Sequence, residues 1–119
     1  MPQVKLTELF PTRFRGAIVR LEESTLRTGD YTLEYDDRGR VVPINAAGAA
    51  TITVPTHAAL PFPLGTVINI YNVSDTQTVE IVGDAGVTII SVGSILTPLN
   101  EISLRKRAQN EWVVAGVLV

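Results

Sequence analysis

From Thr51 onward the chain alternates apolar and polar residues in short runs. Residues 51–54 (TITV), 65–73 (GTVINIYNV), 77–82 (QTVEIV), 86–91 (GVTIIS), 102–106 (ISLRK) and 111–119 (EWVVAGVLV) each stop at Pro, Gly, Asn or Asp or at the end of the sequence. Thr, Val and Ile at every second position are what a half-buried strand requires. Punctuation every eight to twelve residues or so is the pattern of an all-β sandwich or small barrel. Within the runs, Val79 and Ile81 face one way while Thr78, Glu80 and Val82 face the other, and Trp112 and Val114 alternate with Glu111 and Val113. The alternation nominates Ile52, Val54, Ile68, Ile70, Val79, Ile81, Ile89, Ile102, Leu104, Trp112 and Val114 as core.

Upstream, residues 16–21 (GAIVRL) read as a first strand and 31–35 (YTLEY) as another, after a turn over 26–30. Residues 36–39 (DDRG) read as a hairpin turn, with Gly39 free to take positive φ. Residues 40–45 (RVVPIN) continue, but Pro43 has no N–H for a ladder, so an edge strand or a bulge is expected there. Residues 55–65 (PTHAALPFPLG) hold three of the seven prolines and suit a stiff crossing between two sheets. The strand–turn units are similar, but no repeat marks a solenoid or propeller. The fold expectation is all-β: a single compact, mainly antiparallel β-sandwich or barrel-like body over 16–119, with an extended N-terminal arm over 1–15.

The arm carries Val4, Leu6, Leu9, Phe10 and Phe14, with Pro2 and Pro11 among them. Pro11 disfavours helix at Phe10 and blocks its continuation, so these residues cannot form one helix stripe. Either the segment folds back on its own domain, or it docks extended on a partner surface. In the second reading Leu6, Leu9, Phe10 and Phe14 are the apolar anchors, and Arg13 and Arg15 pair with carboxylates at the rim.

Composition sharpens the second reading. Charged residues make up 18% of the 119, against roughly 25% in a typical soluble domain. Mean hydropathy is +0.24. So small a body keeps much of its surface exposed as a monomer. One account is an Ala- and Val-rich core under a Thr- and Asn-rich surface; the favoured one is that surface is buried between subunits. Residues 1–27 hold five basic against three acidic residues, while 28–119 hold five against nine. That balance suits an arm seeking an acidic partner and falls short of a nucleic-acid footprint.

Candidate chemistry is sparse. The absence of cysteine excludes disulfides and thiolate ligands, and no segment is apolar enough to span a membrane or begin a signal peptide. His57 is the one histidine and reads as a solvated loop residue. Asp36, Asp37, Asp75 and Asp84 sit beside turns, where Asp is expected for its bonds to the backbone, and Ser24 and Thr25 have no nearby base. Gly83 to Gly86 precede no helix that could cradle phosphate, and one carboxylate there does not make a calcium loop. Arg105, Lys106 and Arg107 read either as strand-end charge protecting an edge or as a polar ladder at a subunit seam. No catalytic, cofactor or metal site is expected.

Read as one pattern, residues 40–119 resemble a small β domain of tailed-bacteriophage virion proteins, found in head fibres, capsid decoration proteins and tail-fibre tips. The matching features are RVVPINAAGAATITVP, then FPLGTVINIYNV, TVEIVGDAGVTIIS and the closing SLRKRAQNEWVVAGVLV. The resemblance implies a non-enzymatic virion protein, assembled in the host cytoplasm and typically trimeric. No heptad or Gly-X-Y shaft precedes the match, which points away from a full tail fibre. The leading expectation is therefore a capsid decoration (cement) or short head-fibre protein. Its arm would bind the major capsid protein, another virion protein or a neighbouring subunit. The runner-up is a tail-fibre or tail-tip module binding a host receptor or glycan.

Overall fold

The computed structural model describes residues 21–119. The arm and most of the strand expected over 16–21 lie outside the described residues; Leu21, the first of them, is in no strand. Ten strands follow: β1 (Glu22–Glu23), β2 (Tyr31–Thr32), β3 (Arg40–Ile44), β4 (Ala50–Val54), β5 (Val67–Asn72), β6 (Val79–Gly83), β7 (Thr88–Ile90), β8 (Ile95–Leu96), β9 (Glu101–Ala108) and β10 (Glu111–Ala115). They form a six-stranded sheet in the order β1-β3-β5-β9-β10-β7 and a four-stranded sheet in the order β2-β4-β6-β8.

The body is mostly β, as the alternation requires, but its sheets are mixed. Parallel ladders join β1 to β3, β3 to β5, β2 to β4, β4 to β6 and β7 to β10. Antiparallel ladders join β5 to β9, β6 to β8 and β9 to β10. The expectation of a mainly antiparallel body is corrected by this pairing. From β1 to β9, odd-numbered strands lie in the larger sheet and even-numbered strands in the smaller one. Through β6, each connection arches to the opposite sheet, so the next-but-one strand returns beside its predecessor in the same direction. The Pro-rich segment 55–65 is such a crossing, from β4 to β5. Among the described residues, only β9 and β10 are neighbours in both sequence and space, joined by the turn at Gln109–Asn110.

The same topology removes the expected hairpin at 36–39. The strand over 31–35 shortens to β2, a 3-10 turn occupies Tyr35–Asp37, and Gly39 (φ 69°) delivers the chain to β3 in the other sheet. Pro43 is accommodated by direction. Its carbonyl accepts from the Arg27 N–H at 2.9 Å, while the carbonyl of Ile44 accepts from the Val73 N–H at 2.8 Å on the β5 side. A strand residue turns its N and O the same way, so the missing N–H faces the short β1 side and leaves the β5 ladder whole.

Both sheets contribute to one apolar core. Nine of the eleven nominated residues are buried; Ile89 and Val114 are half-buried against the cluster. The core also takes Val42, Ile44, Ala50 and Leu96 from strands, and Leu33, Ala46, Phe62 and Leu118 from connections. Trp112 meets Phe62 edge-on at 5.5 Å, and Phe62 stacks on Tyr35 at 5.8 Å.

Candidate functional site

The end of the larger sheet beyond β7 and β10 carries an open apolar groove of about 760 Å³. It is lined by Ile90 and Val92 at the end of β7, Val113 and Val114 of β10, and Val117 and Val119 of the closing tail. Ser91 supplies the one polar side chain in the lining, and no charged side chain contributes. Val92 is fully exposed, and Val117 and Val119 are 73% and 65% exposed.

Local sequence builds this groove. Residues 111–119 read as one strand, but β10 ends at Ala115 because Gly116 takes φ 115°, which a side chain rarely adopts. A Cβ there would also stand 2.7 Å from Ile102 Cγ2. Beyond that bend Leu118 enters the core while Val117 and Val119 face out. Val119 donates to the Ile95 carbonyl at 2.9 Å, and its own carbonyl accepts from the N–H groups of Ile95 (3.0 Å) and Ser94 (3.2 Å). The tail is thereby fastened beside β8, a strand the alternation did not nominate.

A polar cluster fastens the opposite edge. Asp37 is buried and accepts from the Tyr31 hydroxyl (2.6 Å), the Ser24 hydroxyl (3.0 Å) and the Glu34 N–H (2.8 Å). The Glu34 bond is the turn chemistry expected of an Asp here; the Tyr31 and Ser24 bonds are tertiary. Arg27 lies over the Tyr31 ring at 4.1 Å and donates to its hydroxyl at 3.1 Å. Burial first, then the bond to Asp37, pushes the Tyr31 hydroxyl far above its ordinary value of 10.0. The phenol therefore remains a donor, and the cluster is a tie between residues 24–37.

Lys106 corrects the reading of the basic cluster. The strand that carries it, β9, lies between β5 and β10 in the interior of the sheet, so it protects no edge. Arg105 and Arg107 are exposed on the outer face, and Arg107 pairs with Glu111. Lys106 points inward and is 2% exposed. Its Nζ donates to the Phe62 carbonyl at 2.8 Å and lies 2.7 Å from His57 Nδ1. Burial pulls its ammonium below the ordinary 10.5. His57 is accordingly half-buried, not a solvated loop residue, and its backbone N–H donates to Asn110 Oδ1 at 2.8 Å. These bonds strap the 55–65 crossing over the core. Asn72, also buried, donates to the carbonyls of Gln77 (2.8 Å) and Leu96 (3.2 Å) and accepts from the Ser74 N–H (3.1 Å).

The partner-binding candidates Leu6, Leu9, Phe10, Arg13, Phe14 and Arg15 lie outside the described residues. Asp36, Asp75 and Asp84 are exposed, and Asp84 Oδ1 accepts from the next N–H in its turn. Among the described residues no three His, Asp or Glu side chains converge as a metal-holding group, and no helix is long and apolar enough to cross a membrane. The groove is what sequence reasoning missed. Its signal was the run of Val residues around Gly116, too apolar for a strand with a wet face. Family models, curated proteins and solved structures give no significant match to the chain.

Proposed function

We propose that this chain is a structural protein of a tailed-phage virion, a capsid decoration or short head-fibre protein that works by assembling and binding. In this reading the two sheets are the layers of a sandwich. The closed body sits on the shell as a homotrimer, and the arm over 1–15 engages the major capsid protein or a neighbouring subunit. The observation that carries the reading is the exposed groove with no charged side chain, formed by Ile90, Val92, Val113, Val117 and Val119 on a chain poor in charge. A contiguous apolar surface of this kind supports a face that another protein covers. The phage assignment itself rests on the sequence resemblance of residues 40–119. Many modest contacts, multiplied by three subunits, would fasten a shell without covalent bonds.

The test is a reconstruction by electron microscopy of phage particles that carry the protein, with and without an antibody fragment against the body. Density on the head surface supports the decoration reading. Density at the tail tip supports the receptor-binding alternative, and absence from the particle overturns both.

A further inference from the structure

We propose that the groove is filled by the N-terminal segment of a second copy of this chain, with residues 4–7 added as a strand along the outer edge of β7. The inference deepens the assembly reading and rests on it. It names the occupant of a surface that reading leaves uncovered.

The edge and the segment match in length and pattern. Among the described residues β7 is paired only on its β10 side, leaving the other edge of Thr88–Ile90 open beside the groove. Val4-Lys5-Leu6-Thr7 alternates strictly, so an added strand would turn Val4 and Leu6 to one face and Lys5 and Thr7 to the other. Strand addition takes affinity from main-chain bonds and selectivity from alternate side chains in pockets. A lining with no charged side chain suits Val4, Leu6 and, past the end of β7, Phe10. Pro11 then ends the pairing, because it has no N–H to donate.

Geometry favours a second copy over the chain's own segment. The described residues begin at Leu21, next to β1, at the edge of the six-stranded sheet farthest from β7. Five strand spacings of about 4.8 Å separate the two edges, roughly 24 Å, or about seven extended residues. A segment returning to its own groove would cross an outer face of Asn69, Ser103, Arg105 and Arg107. There Asn69 and Ser103 are hydrogen-bonded and Arg107 is ion-paired, and the apolar surface on β5 comes from Val67 and Tyr71 alone. In a closed ring with a head-to-tail interface, the β1 edge of one subunit stands beside the β7 edge of the next. The segment then emerges beside the groove it fills.

Because the chain has no cysteine, introduced thiols report the contact cleanly. Leu6→Cys and Val117→Cys chains, distinguished by tags, are co-expressed, purified and oxidised. Leu64→Cys, on the exposed 55–65 crossing, replaces Val117→Cys as the control. The expected result is a disulfide-linked pair carrying both tags from the Leu6/Val117 combination, at least tenfold above the Leu6/Leu64 control. A double variant of Leu6 and Val117 that closes its disulfide within one chain, with no mixed pair, overturns the second-copy assignment. No disulfide in a sample that light scattering shows to be oligomeric overturns the docking while leaving the assembly reading intact. A monomer in the uncrosslinked protein overturns both.

Discussion

Trp112 is the largest side chain fully enclosed by the body, 1% exposed and set edge-on against Phe62. Truncating it removes an indole from the contact between β10 and the 55–65 crossing, and partial relaxation of the neighbours leaves a cavity. Trp112→Ala is expected to cost about 3–5 kcal/mol. Urea denaturation with an unchanged m-value would show this, and a loss below about 1 kcal/mol would place the ring outside the core. Lys106 gives a second prediction at this scale. Its folded-state pKa lies below the unfolded 10.5, so between the two values the unfolded chain binds more protons than the folded one. Stability must therefore rise with pH across that window, by no more than about 1.4 kcal/mol per unit for one group. Tyr31 acts oppositely, because its raised pKa makes stability fall once pH passes its ordinary 10.0. Melting temperatures below pH 10 isolate the lysine: the wild type should gain stability towards pH 10, and Lys106→Met should lose that gain. An unchanged slope in the variant would mean that burial of the ammonium is not its source.

At the scale of elements, the described residues 21–119 hold two paired sheets and one apolar cluster between them. Among the described residues, the seventeen of the core lie between Leu33 and Leu118, and the edge strand β1 starts at Glu22. Deleting 1–15 should leave the circular dichroism spectrum of the body nearly unchanged while loosening the contact between copies and lowering the concentration-dependent part of the unfolding midpoint. A truncated chain that fails to fold would make the arm a structural strand. Strands and their faces were legible because period two reports which side a residue takes: Ile102 and Leu104 point in, and Lys106 and Asn72 continue the inward parity of β9 and β5. Parity says nothing about partners. Whether β3 pairs with β4 or with β5 depends on whether the loop over 45–49 folds back or arches over, and its Asn, Ala and Gly suit either course. Asp37 was legible only as a turn residue, since its bonds to Ser24 and Tyr31 join positions that no local spacing relates.

At the scale of the molecule, the question is what covers the apolar face. The two edges of the larger sheet differ: β1 carries Glu22 and Glu23 and pairs Glu22 with Arg40, whereas β7 borders the groove. Unlike edges cannot be matched by a two-fold axis that brings the same patch together. They can be matched head to tail, and such contacts close only as rings. A ring of three is the arrangement that the resemblance also implies. Light scattering at micromolar concentration is therefore expected to give three times the 12.9 kDa of one chain. Since no charged side chain lines the groove, the mass should persist at 1 M salt, where the Debye length is about 3 Å and exposed ion pairs are screened. Placing Asp at both Val92 and Val117 would put two carboxylates in the covered surface without touching the core, because both side chains are exposed in the single chain. That variant should fold with a wild-type unfolding midpoint at low concentration, yet remain monomeric at concentrations where the parent is trimeric. A trimer that survives both substitutions would move the subunit contact away from the β7 end of the sheet.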